Sequence, residues 1–347
     1  MQRKHITVGG VTVGGGAPVV IQSMTTTKTD DVPATVAQIH RLEMAGCELI
    51  RVAVPDMAAA KALEQIKAQI TIPLVADIHF DYRLALESVA RGADGIRINP
   101  GNIGGEDYVR LVANVCAGRG LPIRIGVNGG SLERKIVATF GHTPEALVES
   151  ALHHVALLNR FDFDNICLSV KSSSVPDTVA AYRLLHSRTS YPLHLGVTEA
   201  GTAYIGAIKS AIGIGSLLLD GIGDTIRVSL TDDPVEEIKA ARAILQSLEL
   251  RRFGPNIVSC PTCGRCHIDL IPLVYEVERR LGNSTKELTI AVMGCAVNGP
   301  GEAAAADYGI AGGTREGLLF RHGKTVGKAP MDGLVDALMN LITENTQ

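Results

Sequence analysis

Eight short β-branched runs, each followed by a polar or Gly-containing turn and mostly by an amphipathic stretch, recur through the first two-thirds of the chain. They are Val19–Ser23, Glu48–Val54, Pro73–Ile78, Gly95–Asn99, Pro122–Val127, Asn165–Lys171, Leu193–Glu199 and Thr225–Leu230. Strands alternating with helices imply right-handed crossovers and a parallel sheet, and eight such units in about 250 residues is the count of a TIM (β/α)8 barrel. A doubly wound open sheet would want a G-x-G-x-x-G turn after its first strand, and that turn reads Ser23-Met24-Thr25-Thr26-Thr27. The expected class is therefore α/β, with the barrel first. Its last helix is predicted over Pro234–Leu250, with Glu236, Glu237 and Lys239 on a solvent face and Ile238, Ala241, Ile244 and Leu245 inward.

The charged Gly-Pro segment Arg251-Arg252-Phe253-Gly254-Pro255 ends the repeat, and four of the seven Cys lie beyond it. This pattern predicts a barrel domain over 1–250 and a small α+β domain over 251–347, hinged near Gly254-Pro255. The second domain reads as a helix (Ile268–Leu281), three strands (Leu288–Met293, Tyr308–Ala311, Gly317–Arg321) and a closing helix (Met331–Ile342). So short a module has a thin core, and a bound metal would help to fix it.

Lys+Arg 33 against Asp+Glu 36 leaves a net charge of -3, so no overall basic field draws in nucleic acid or an anionic membrane. The start, Met1-Gln2-Arg3-Lys4-His5, carries no apolar signal segment, and no stretch approaches the ~20 apolar residues of a membrane span. The expected location is the cytoplasm. Clustered thiols there bind metal or do redox chemistry more often than they pair, whereas Cys47, Cys116 and Cys167 sit in apolar runs as small buried hydrophobes.

Four strands repeat one local pattern: Ile50-Arg51-Val52, Ile96-Arg97-Ile98, Ile123-Arg124-Ile125 and Ile226-Arg227-Val228. Strand side chains alternate faces, so if the aliphatics pack outward under the helices, the arginines point into the barrel. Lys171 follows Leu168 and Val170 in the same manner. Single buried arginines often pair with acids, but five cations at one mouth predict a compact polyanion such as a di- or triphosphorylated metabolite. The same strand ends carry Asp77, His79, Asn99, Asn128, Ser172, Thr198, Glu199 and Ser229, and C-terminal strand ends face the active site of a TIM barrel. Glu199 is the expected general acid, since a partly enclosed carboxyl can keep its proton near neutral pH. Asp77 has two equal readings, a salt bridge that steadies Arg51 or Arg97 and a substrate contact.

Cys260-Pro261-Thr262-Cys263 is a CxxC, with Cys266 three residues on and Cys295 at the end of a later strand. Two thiolates so spaced can grip one metal centre. A zinc ribbon would close with a second CxxC, whereas an iron–sulfur cluster needs only one further ligand. That ligand is either Cys266 or Glu302, which the Gly299-Pro300-Gly301 turn could fold back toward Cys295.

Ser-Cys-Pro-Thr-Cys-Gly-Arg at 259–265 and Met-Gly-Cys-Ala-Val-Asn-Gly-Pro-Gly-Glu-Ala at 293–303 resemble the two signature motifs of the hydroxymethylbutenyl diphosphate synthases of the non-mevalonate isoprenoid pathway. The likeness runs from Ile21-Gln22-Ser23-Met24 to the C-terminal helix, in the short two-domain bacterial form. It implies a TIM barrel followed by a small α+β iron–sulfur domain, with a [4Fe-4S] cluster on Cys260, Cys263, Cys295 and Glu302 and with Cys266 outside the pattern. It implies diphosphate binding by Arg51, Arg97, Arg124, Lys171 and Arg227, with Asp77, His79, Asn99, Asn128, Thr198, Glu199 and Ser229 around them. The reaction implied is a two-electron reductive ring opening of 2-C-methyl-D-erythritol 2,4-cyclodiphosphate to 4-hydroxy-3-methylbut-2-enyl diphosphate and water, with Glu199 protonating the departing hydroxyl. With no dinucleotide fingerprint, electrons are expected from a flavodoxin or ferredoxin.

The linker Arg251–Asn256 spans only ~20 Å, and the helix before it returns the chain to the barrel's N-terminal end. A homodimer in which each cluster domain caps the partner's barrel mouth meets that constraint, as the resemblance also implies. The rival readings are a zinc-stabilised barrel performing a non-redox condensation of a phosphorylated substrate, and a metal-ribbon nucleic-acid module beside a barrel.

Overall fold

The computed structural model describes residues 3–266, 268–282, 284–295, 301 and 303–344. The chain forms two compact units, 1–251 and 252–347. Among the described residues no helix is long and apolar enough to cross a membrane.

The first unit opens with an antiparallel hairpin, β1 (His5–Val8) and β2 (Val11–Gly14). Eight parallel strands follow: β3 (Val20–Met24), β4 (Leu49–Ala53), β5 (Leu74–Asp77), β6 (Gly95–Ile98), β7 (Ile123–Asn128), β8 (Ile166–Lys171), β9 (His194–Leu195) and β10 (Thr225–Ile226). Their order is β8-β7-β6-β5-β4-β3-β10-β9, and a parallel bridge between Leu168 and Leu193 joins the two ends into a barrel. Ile6, Val8 and Val13 of the hairpin pack against Val20, Leu49 and Val75 near the strand starts. That packing covers the N-terminal end of the barrel, and the opposite end is the open mouth.

Two expectations give way to the fold. The runs 193–199 and 225–230 contain strands of only two residues each, His194–Leu195 and Thr225–Ile226, and their remaining residues continue as loops at the mouth. The last helix spans Pro234–Ser247, and Glu237, expected on its solvent face, is only 4% exposed. Its carboxylate accepts the Leu230 amide at 2.9 Å and the Ser23 hydroxyl at 3.2 Å, so its oxygens are satisfied by donors inside the fold.

The second unit is a five-stranded sheet in the order β11 (Asn256–Ser259), β12 (Thr289–Met293), β13 (Tyr308–Ala311), β14 (Glu316–Arg321) and β15 (Lys324–Pro330). The first three strands run parallel and the last two pairings are antiparallel. Strand parity divides β12 cleanly. Ile290 and Val292 join the core made with the helices Leu270–Leu281 and Leu334–Glu344, while Ala291 and Met293 pack with Ala303, Ala306 and Phe320 on the other face. β11 and β15 carry no clear strand signal in the sequence. β15, with Lys324, Lys328 and Pro330, has the composition of a protected edge strand.

Candidate active site

The parity of the Ile-Arg-aliphatic strands turns Arg51, Arg97, Arg124 and Arg227 into the barrel, where they meet Lys171 around a cavity of ≈ 140 Å³. Asp77, His79, Asn128, Thr198 and Ser229 line the same cavity, together with Gly126 and Ser169. Arg97, Arg124 and Lys171 are each less than a tenth exposed.

Asp77 lies between two guanidinium groups, 3.0 Å from Arg97 Nη1 and 3.5 Å from Arg51 Nε, with His79 Nε2 at 3.6 Å. Burial would raise its carboxyl, but Arg51, His79 and Arg97 outweigh burial and hold it far below the usual carboxylate range. Arg51 also directs Nε and Nη2 at the Met24 sulfur, 3.2 and 3.0 Å away. Arg227 has Glu237 at 3.7 Å. Arg124 donates from Nη1 to Gln22 Oε1 at 2.5 Å, and its Nε and Nη2 have no protein partner. Among the described residues, five cations thus share two carboxylates, and the unbalanced positive charge suits the cavity to an anion.

Asn99 is buried but lines a different feature, accepting the Gly101 amide at 3.1 Å at the turn after β6. Gly101 packs on Glu133 and His154, and Glu133 accepts the Ser150 hydroxyl at 2.7 Å. Glu199 is exposed on a second cavity of ≈ 550 Å³, whose wall includes Ser131, His142, Ser172 and Ser174. Asn128 and Thr198 line both cavities and so connect them. Glu199 adopts φ 53, a left-handed conformation that costs a non-glycine residue roughly 1 kcal/mol or more.

In the second unit, Cys260 and Cys295 follow the adjacent parallel strands β11 and β12, so topology brings distant thiols to one end of the sheet. Cys260 Sγ accepts the Gly294 amide at 3.1 Å, and a Cβ on Gly294 would stand 2.6 Å from Cys266 Sγ. Cys295 is buried, whereas Cys263 is exposed, its thiol lowered chiefly by a hydrogen bond from the Arg265 backbone. Among the described residues, no three His, Cys, Asp or Glu groups are gathered into a ready ion site. Glu302 lies outside the described residues.

The GcpE TIM-barrel domain profile matches residues 3–242, and the GcpE protein C-terminal domain matches 256–344. The chain belongs to the GcpE family. Relatives named 4-hydroxy-3-methylbut-2-en-1-yl diphosphate synthase (flavodoxin) are 58% identical in Caldicellulosiruptor saccharolyticus, over 98% of this chain and 98% of the relative. The identity is 57% in Ruminiclostridium cellulolyticum, over 99% and 98%. In Geobacter sulfurreducens it is 58%, over 97% and 96%. Among solved structures, dihydropteroate synthase from Stenotrophomonas maltophilia aligns with a TM-score of 0.52 and 14% identity, covering 71% of this chain and 98% of that one. The Yersinia pestis enzyme aligns at 0.51 and 13%, covering 71% and 100%. These last two likenesses bear on the barrel fold alone.

Several residues of this GcpE barrel carry no signal in a single sequence. A Cβ on Gly126 would stand 2.5 Å from Arg97 Nε, and one on Gly196 would stand 2.5 Å from Lys171 Nζ. Both glycines clear space for a cation to cross the barrel. Gln22, His194 and Glu237 are likewise spread along the chain, and only barrel closure gathers them beneath the ring.

Proposed function

We propose that this chain catalyses the reductive ring opening and dehydration of 2-C-methyl-D-erythritol 2,4-cyclodiphosphate to 4-hydroxy-3-methylbut-2-enyl diphosphate, with flavodoxin or ferredoxin as electron donor. The observation that carries this reading is the ring itself, five cations to two carboxylates, in a family whose near full-length relatives are named for that product. Arg51, Arg97, Arg124, Lys171 and Arg227 hold the diphosphate, and their positive charge stabilises it as the ring C–O bond breaks. Asp77 keeps Arg51 and Arg97 aimed inward. His79, Asn99, Asn128, Thr198 and Ser229 supply or brace the hydrogen bonds that orient the carbon chain, and Glu199 protonates the hydroxyl that departs as water.

The donor set fits a [4Fe-4S] cluster. Soft thiolates are its ordinary ligands, and Cys260 and Cys295 follow adjacent parallel strands, with the amide of Gly294, the residue before Cys295, donating to Cys260 Sγ at 3.1 Å. Cys260, Cys263, Cys295 and Glu302 would hold the cluster. When bound it supplies the two electrons of the reaction, received one at a time from the donor.

The same reading makes the protein a cytoplasmic homodimer in which each cluster domain caps its partner's barrel. The exposed stripe Tyr204, Ile205, Ile208 and Ile212 on the helix Ala203–Leu219 offers a second copy an apolar face. Protein purified without oxygen should be brown, carry iron and sulfide, and convert the cyclodiphosphate when given reduced flavodoxin. Bound zinc in place of iron, with no turnover, would instead favour the non-redox barrel.

A further inference from the structure

The five cations of the ring are not equivalent. Arg51, Arg97 and Arg227 each have a carboxylate within 3.7 Å, supplied by Asp77 or Glu237. Among the described residues, Lys171 has no carboxylate within ion-pair reach. Its side-chain partner is His194 Nε2, 3.5 Å away. Arg124 also lacks an acid, but a guanidinium keeps its charge at any pH a protein tolerates, whereas an ammonium does not.

His194 is fully buried at the base of the ring, and its Nδ1 has no partner. Burial, followed by Arg124, Lys171, Arg51 and Arg227, pushes its pKa well below 6.5, so it faces Lys171 as a neutral acceptor. Burial, then Arg227, Arg51, Arg124 and Arg97, pushes Lys171 well below 10.5. Cys167 packs nearby as a thiol, raised to about 12 by burial, and offers no counter-charge. Asp77 and Glu237 are already engaged by the arginines. Lys171 is thus the one ring cation that can shed its charge while the site is empty. An arriving dianion reverses the balance, because it favours the charged form of the same amine.

We infer that a diphosphate enters this ring together with a proton, taken from solvent onto Lys171 Nζ, with His194 holding the amine in place. The inference rests on the ring being the diphosphate site. No electron moves and no bond to the ligand forms; the step is the transfer of one proton from buffer acid to amine.

The test is calorimetry of the full-length protein with P1,P2-dimethyl diphosphate, a dianion with no proton that titrates near neutrality. At about pH 8.5, below the ordinary lysine value, the binding enthalpy should differ between buffers of unlike ionisation enthalpy. The difference should correspond to net proton uptake, of at most one proton per anion. Affinity should fall by up to about tenfold per pH unit as the pH rises. Lys171→Arg, permanently charged, should bind without that uptake. If the arginine does not fit, Cε resonances of lysine-labelled wild-type protein decide, one of them moving to its ammonium position when the anion is added. Enthalpies that do not depend on buffer, uptake that survives in Lys171→Arg, or lysine resonances that do not move would overturn the inference. Absence of any binding would overturn the diphosphate site itself, and this inference with it.

Discussion

Gly196 and Lys171 fit one another as space and occupant: a Cβ on Gly196 would stand 2.5 Å from Nζ and 2.7 Å from the Arg227 carbonyl oxygen. The carbonyl is backbone and cannot swing away, so any side chain here must displace the strand as well as the Lys171 amine. Gly196→Ala should cost about 1–3 kcal/mol of stability and weaken diphosphate binding at the same time. Gly215, inside the helix Ala203–Leu219, has nothing within 4 Å of such a Cβ, and Gly215→Ala should gain about 1 kcal/mol. Thermal melts and diphosphate titrations on both variants check this, and a harmless Gly196→Ala would mean that the ring is looser than its geometry.

Arg97 and Arg124 are each less than a tenth exposed on the cavity wall, so truncation removes charge that nothing replaces. Arg97→Ala or Arg124→Ala should weaken substrate binding by about 1.5–3 kcal/mol, roughly ten- to hundredfold. The iron–sulfur absorption should be unchanged in both. Normal affinity in both variants would move the anion site elsewhere.

Glu133 ties the loop after β7 to the helix Pro144–Asn159 through Ser150 and His154. Burial pushes its carboxyl up, but the close contact with His154 and the hydrogen bond from Ser150 outweigh that and hold it at about 2, against 4.5 ordinarily. A depressed carboxyl stabilises the fold fully above its unfolded value and loses that contribution as pH falls toward its folded one. The contribution should therefore fade between about pH 4.5 and 2. Glu133→Gln should lower Tm near neutrality and show a flatter Tm profile across this acid window; parallel profiles for the two proteins would reject the assignment.

Cys260→Ser, Cys263→Ser and Cys295→Ser should each lose iron and sulfide, whereas Cys266→Ser should keep them. Cys266 donates its thiol to the Ile268 carbonyl at 3.2 Å and packs on Gly294, a structural position. If Cys266→Ser empties the cluster while Glu302→Ala retains it, the fourth ligand is the thiol.

The proposed homodimer with composite sites predicts complementation. Co-expressing Arg97→Ala and Cys295→Ser chains gives mixed dimers in which one site carries both lesions and the other neither. Isolated mixed dimers should regain activity that each parent lacks. Well-folded mixed dimers with none would mean that each chain uses its own cluster.

Much of the site was legible because strand parity is a local rule. Ile-Arg-aliphatic triplets put each Arg on the face opposite its neighbours wherever the strand ends up, so Arg51, Arg97, Arg124 and Arg227 could be grouped from spacing alone. The CxxC at 260–263 is local in the same sense. Glu237 shows where that logic stops: Glu236 and Glu237 look alike on a helical wheel, yet Glu237 meets Arg227, Ser23 and the Leu230 amide and is buried.

The sequence by itself determined the alternation of strand and helix and the inward set of arginines. Both follow from periodicities of two and 3.6 residues. Tertiary structure alone decided which cations share an acid, that Gly126 and Gly196 must stay bare, and that Lys171 faces a neutral His194 instead of a carboxylate. The reason is physical: charge balance and close approach depend on distances between β3, β7, β8, β9 and the last barrel helix, and those distances exist only once the barrel has closed.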